Sequence, residues 1–250
     1  MGKYFTSTAI PTIPASAQHA TIVSGRVLFD WTELEIPKGS SALRGLTILM
    51  RPKGDATPTS NRVSMELVFS KTNTVSLGTA GVAPNKLPSN DFLGRIEIET
   101  SNYSQATMLS TSVATSGKGS NNGTDLTPIV LTGGPTSGTN VGYDKIYVAA
   151  IATNTFNGTS INTVASTAAA GTTVVCDGTS FLNANHFLPG DVLQSATTVG
   201  ANDADTVMGT IASITNATTL ELTTTSLDTF VDGTILINQN PIRVICSFEK

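Results

Sequence analysis

The chain reads as an all-β protein: an antiparallel, jelly-roll-like β-sandwich with a small β-barrel domain inserted near the C-terminus. Three observations lead there. Threonine makes up about one residue in six, and a β-branched side chain, stiff at χ1, suits a pleated surface. Apolar residues recur with period two over short runs, separated by Gly, Pro, Asn and Ser clusters. No amphipathic helical pattern runs longer than about two turns. A length of 250 residues holds one large β domain or two smaller ones.

Residues 1–20 read as an extended N-terminal arm, because Pro11 and Pro14 oppose helix while Tyr4, Phe5, Ile10 and Ile13 are too apolar for a solvated tail. Such an arm packs either on its own domain or on a neighbouring subunit, and those four side chains are the candidate contact residues. Strands follow at 26–36, 45–52 and 62–70. In the last of these Val63, Met65, Leu67 and Phe69 alternate with Arg62, Ser64 and Glu66, so one face is buried and the other wet. At 93–101, Ile96 and Ile98 alternate with Arg95, Glu97 and Glu99. Segments 103–115, 127–133 and 144–153 complete a set suited to a sandwich.

Between 144–153 and the C-terminal strand 241–248 the rhythm restarts. Short strand patterns at 171–178, 181–195, 205–215, 216–224 and 233–240 are separated by frequent turn signals, among them the breaker PGD at 189–191 and a bend at Gly209. This spacing predicts a small barrel over 159–238, set at the tip of a hairpin whose arms are 144–153 and 241–248. The parent sandwich then comprises 21–158 plus 239–250. Insertion at a loop tip is favoured because the inserted domain's ends lie close together.

Charge divides the chain at the same place. From Ile146 to Ile242 there is no Lys or Arg, against seven acids: Asp177, Asp191, Asp203, Asp205, Glu221, Asp228 and Asp232. A stretch without cations cannot neutralise phosphates, so nucleic acid is not an expected partner. No run reaches the ~18 apolar residues of a membrane span, and the N-terminus lacks the apolar core of a secretion signal, so cytoplasmic synthesis without a membrane partner is expected. Cys176 and Cys246 each sit in an apolar strand pattern and read as buried free thiols.

The residues offer little chemistry. His19 and His186 are far apart in sequence, which does not make a zinc site. Glu97 and Glu99 read as a wet strand face, not a glycosidase pair. Asp203 and Asp205 in NDAD allow calcium but lack the later glutamate of an EF-hand loop. Trp31, the sole tryptophan, reads as core. No cofactor, metal or catalytic residue is assigned, and the chain does not read as an enzyme.

The elements PGDVL (189–193), GTIASI (209–214) and TTLELT (218–223) resemble a small barrel module recurrent in structural proteins of tailed bacteriophages, and the Thr-rich, charge-poor composition is similar to virion proteins of marine and cyanobacterial phages. The long spine helix of a major capsid protein is missing. The resemblance therefore implies a capsid decoration (cement) protein on the virion surface. Its partners would be the major capsid protein and copies of itself, as a trimer or else a dimer, with the acidic insert projecting outward. The alternative is a tail-fibre or head-fibre adhesin that recognises a host-surface glycan, which calls for an exposed aromatic platform or a calcium site on the insert. Phe181, Phe187 and Phe230 are the only aromatic candidates there.

Overall fold

The structure is a computed structural model, describing residues 3–36, 41–53, 60–86, 90–104, 112–116, 130–131, 144–158, 171–176, 187–197, 204–226 and 229–250. It is all-β, with three antiparallel sheets and one short helix. In chain order the elements of the parent are β1 (Tyr4–Ala9), α1 (Ala15–His19), β2 (Val27–Glu35), β3 (Ser41–Met50), β4 (Met65–Ser70), β5 (Phe92–Ile98), β6 (Ser112–Ser116), β7 (Val130–Leu131) and β8 (Lys145–Ala152). The later region holds β9 (Thr173–Val175), β10 (Val192–Ser195), β11 (Val207–Ile214), β12 (Thr219–Leu222) and β13 (Leu236–Asn238), before β14 (Ile242–Glu249) returns to the parent.

The first sheet has the order β1-β14-β3-β6, with β7 also on β3; the second has the order β2-β8-β4-β5. Period-two alternation turns one face of each sheet inward. From the first come Leu46, Ile48, Met50, Ile242, Val244, Cys246 and Phe248; from the second come Leu28, Leu34, Met65, Leu67, Phe69, Ile96, Ile98, Ile146 and Val148. These form one continuous core, which is what makes the two sheets a sandwich. The buried series Val63, Met65, Leu67 and Phe69 follows the sequence pattern directly.

Two irregularities explain where the pattern breaks. The register of β14 on β3 shifts so that Ser247 faces Gly45 and Phe248 faces Leu43. Arg44 is the extra residue, so Leu43 and Leu46 both point into the core despite their odd spacing. On the outer face of the second sheet, segment 71–86 folds over the strands. Asp30 holds it, accepting bonds from Leu77 N (2.7 Å) and Ser76 Oγ (2.6 Å). Its Leu77 is buried against Val27 and Ala149 of the sheet, with Trp31 half-buried beside them.

The third sheet has the order β13-β10-β11-β12-β9 and its own core of Val174, Cys176, Phe187, Leu193, Met208, Ile211, Leu220, Leu222, Phe230 and Leu236. Strand β11 changes partner along its length: residues 207–210 lie against β10, and residues 211–214 against β12. Gly209 sits at this corner with φ +152°, where an added Cβ would come within 3.2 Å of Leu222 Cδ1. The bend curls the sheet around its core. Among the described residues β9 and β13 are the two edges and are not bonded to each other.

Two sequence expectations need correction, and a third left open is decided. Strands β8 and β14 do not form a hairpin: β8 lies between β2 and β4 in the second sheet, whereas β14 lies between β1 and β3 in the first. The segment between them therefore occupies a crossover from one layer to the other. Of the two placements expected for the N-terminal arm, residues 4–9 take the one on its own domain, as a full strand of the first sheet from Tyr4 opposite Glu249 to Ala9 opposite Val244. Nor do the prolines exclude helix: Pro14 is the N-cap of α1 with φ −52°, a position that needs no N–H and accepts the proline ring angle.

Ile13 is fully buried in the sandwich core, so Ile13→Ala should lower stability by about 2–5 kcal/mol, read by chemical denaturation. Gly209→Ala forces a side chain into a backbone region that L-residues rarely adopt, and should destabilise the third sheet by about 1–3 kcal/mol with the first two sheets intact. Hydrogen exchange resolved by segment checks that selectivity.

Candidate functional site

The candidate contact residues separate into two kinds. Tyr4 is 73% exposed and Ile10 47% exposed, whereas Ile13 is at 0%. Phe5 points inward, stacked on Phe248 with ring centroids 5.2 Å apart, and packs on the core. Strand alternation accounts for the split: Tyr4, Thr6 and Thr8 face out, while Phe5, Ser7 and Ala9 face in. Ile13 and Phe5 hold the arm to its own chain, which leaves Tyr4 and Ile10 as the members of the set available to a partner.

After β1 the chain turns between the sandwich and the third sheet, and its polar groups converge there. Helix α1 has no cap from its own N-cap side chain, and the first N–H groups of any helix lack internal partners. The third-sheet region supplies them. Gln194 Oε1 accepts from Ala15 N at 3.2 Å, and Asp205 accepts from Ser16 N at 2.8 Å and Ser16 Oγ at 2.6 Å. A carboxylate at a helix N-terminus also meets the positive end of the peptide dipoles. Gln18, almost fully buried, donates through Nε2 to Ile13 O (2.8 Å) and Asn238 O (2.9 Å). Ala15, Ala196 and Ile237 close a small apolar cluster over these bonds.

A second polar link lies where β3 and β14 meet the loop before β10. Arg51 Nη2 donates to Asp191 Oδ1 at 3.1 Å, with only 3% of the Asp191 side chain exposed. The other carboxylate oxygen accepts from Leu188 N (2.8 Å) and Asn238 Nδ2 (2.7 Å). Burial raises the Asp191 pKa above its ordinary 3.8, and the Arg51 charge together with these bonds opposes that rise. The sequence motif PGD thus does two jobs: Gly190, at φ +92°, makes the turn, and Asp191 ties it to the sandwich.

Other sequence candidates take structural places. His19 ends α1, and His186 and Phe181 lie outside the described residues. Glu97 and Glu99 are exposed; Glu99 is the N-cap of a 3-10 turn at Thr100–Asn102, its backbone N–H donating to Asn102 Oδ1 at 2.7 Å and its carboxylate accepting from Ser101 Oγ at 3.1 Å. Asp205 is committed to Ser16, and Asp203 lies outside the described residues. Cys176 and Cys246 are both buried, in separate cores and not joined by a disulfide, and burial pushes the Cys246 thiol up to about 12. Phe187 and Phe230, the expected aromatic candidates of the insert, are both fully buried. An exposed aromatic pair lies on the sandwich instead: Phe92, 48% exposed, tilts against half-buried Trp31 at 6.3 Å beside an apolar groove of about 520 Å³. Sequence reasoning missed this pair because 71–86 covers part of a face that alternation alone marks as wet.

No protein-family model matches the chain, and no curated protein is significantly similar to it.

Removing Asp191 leaves Arg51 largely buried without its counter-charge, so Asp191→Ala should cost about 3–5 kcal/mol. The pH dependence has a defined sign. Because the folded-state pKa is raised, the folded chain binds this proton more readily than the unfolded chain. That contribution to stability is fully present below 3.8 and fades as pH rises through the folded value. The stability difference between wild type and Asp191→Asn should therefore shift in favour of wild type on acidification from neutral pH. Urea titrations at several pH values measure it.

Proposed function

We propose that the chain is a virion structural protein, a capsid decoration protein that lies on the outer shell and fastens neighbouring capsid subunits. The observation that carries this reading is strand order. Eight strands arranged β1-β14-β3-β6 over β2-β8-β4-β5 follow the order of a jelly roll, an architecture that recurs in viral capsid and lectin domains. The similarity of residues 189–193, 209–214 and 218–223 to phage structural modules points the same way. The polar links at Asp205 and Asp191 fit a mechanical role, because they couple the inserted sheet to the parent at two separate points. In this reading the chain works through surface shared with its neighbours, as a trimer or dimer, and not by catalysis. Many modest contacts repeated by symmetry give strong attachment through multivalency.

The test is co-sedimentation of the full chain with DNA-emptied heads, followed by image reconstruction of the decorated particles. The expected result is ordered density on the outer shell. Failure to sediment with heads, or density confined to the tail, overturns the proposal. Truncation before residue 20 is unsuitable, since it removes β1. The double substitution Tyr4→Ala, Ile10→Asp keeps the inward residues of the arm, and should weaken shell binding about tenfold with an unchanged melting temperature.

A second reading, host-glycan recognition by an adhesin-type module, draws on the Trp31–Phe92 pair and the apolar groove beside it. It expects binding to host-surface polysaccharide that Phe92→Ala abolishes without affecting attachment to heads.

A further inference from the structure

The outer edge of β1 is an unfilled place in the first sheet. Lys3 and Lys250 exchange backbone bonds at 3.2 and 2.9 Å. Bonded and non-bonded pairs alternate along an antiparallel ladder. Phe5, Ser7 and Ala9 therefore bond to β14, and Tyr4, Thr6 and Thr8 direct their N–H and C=O groups away from it. Among the described residues no strand pairs with that side. An open edge of this kind is ordinarily guarded by Lys or Pro, or by a charge pointing inward. From Tyr4 to Ile10 the strand has no charged residue and no proline.

Beside the edge runs a groove of about 650 Å³, with Phe5, Thr6, Ser7 and Thr8 on one side and Glu33, Glu35 and Ile36 of β2 on the other. It adjoins a second hollow lined by Glu33, Glu35, Ile36, Asp144 and Lys145. Three acids and one lysine give these walls a formal charge of −2. Lys145 is engaged with Glu33 at 3.0 Å. Glu35 is exposed, with no ion pair among the described residues.

We propose that this edge is a docking site for an extended segment of another protein, which adds a strand to β1 and presents Lys or Arg side chains to Glu33 and Glu35. Backbone bonds to Tyr4, Thr6 and Thr8 would supply affinity, and the carboxylates would select cationic side chains and set the register. A second copy of β1 fits less well: it brings no cation between residues 4 and 10, and it sets two copies of Glu33 and Glu35 near each other. The site stands independently of attachment to a capsid.

The test uses the full chain and a fluorescent seven-residue peptide of alternating Lys and Val, read by anisotropy. Two control peptides replace every Lys by Glu or methylate alternate backbone amides. The Lys peptide should bind, and both controls should not. Glu33→Gln with Glu35→Gln should weaken binding about tenfold. Thr6→Pro should abolish it while preserving the melting temperature, because the N–H it removes faces away from β14; Ser7→Pro, which removes a bond to β14, should lower that temperature. If Thr6→Pro misfolds, the methylated peptide on wild-type protein carries the same information. Absence of binding, or binding indifferent to methylation or to loss of the two carboxylates, overturns the proposal. So does a wild-type dimer in sedimentation that Thr6→Pro dissolves, since the occupant would then be a second copy.

Discussion

The arrangement depends on how the first twenty residues are bound. Helix α1 is only five residues long, too short to be stable alone. It persists because its exposed N–H groups find Gln194 and Asp205, which belong to a region almost two hundred residues away. Before the helix, β1 is bonded along its whole length to the C-terminal strand. The same short segment therefore closes the first sheet at one end and anchors the inserted sheet at the other. Loss of either attachment leaves buried polar groups without partners, which costs more than the bonds themselves contribute.

The insertion point follows from connectivity. The chain leaves the second sheet at Ala152 and must cross to the first sheet to begin β14. Extra residues there do not disturb either ladder, because both strands are already paired on each side within their own layer. The entry and exit of the inserted region are held close to the parent: Phe156 and Ile22 form a bridge at one end, and Gln239 O accepts from Ile13 N at the other. Gly158 lies against Gln18 so closely that an added Cβ would come within 2.9 Å. The entry therefore runs past the same helix that caps onto Asp205.

Charge and packing divide their roles clearly. The inserted region has no Lys or Arg of its own, so its buried acid, Asp191, draws its cation from the parent as Arg51. A buried carboxylate without that cation is costly, which ties the position of the insert to one residue at the end of β3. Exposed ion pairs such as Arg95–Glu66 and Lys145–Glu33 contribute little by comparison. Their effect lies in local potential, which the acidic walls beside β1 illustrate.

Short apolar runs bounded by turn residues, strictly alternating at β4 and β5, were enough to locate β2, β4, β5, β8 and the five strands of the inserted region, because these patterns follow from strand and turn geometry and need no knowledge of neighbours. The apolar character of the arm marked Tyr4, Phe5, Ile10 and Ile13 alike as residues seeking a contact, without telling the inward pair from the outward one. Which strand pairs with which is not encoded in a local period, so the sequence suggested β8 and β14 as a hairpin when they belong to opposite layers. The helix at Ala15–His19 was hidden for a similar reason: its stability comes from acceptors distant in sequence. The exposed sides of Tyr4 and Ile10, the open edge of β1 and the Trp31–Phe92 pair exist only once β14 and segment 71–86 are in place. Local chemistry thus determined the elements and their inward faces, and long-range pairing alone decided their layers, their edges and the surfaces left for partners.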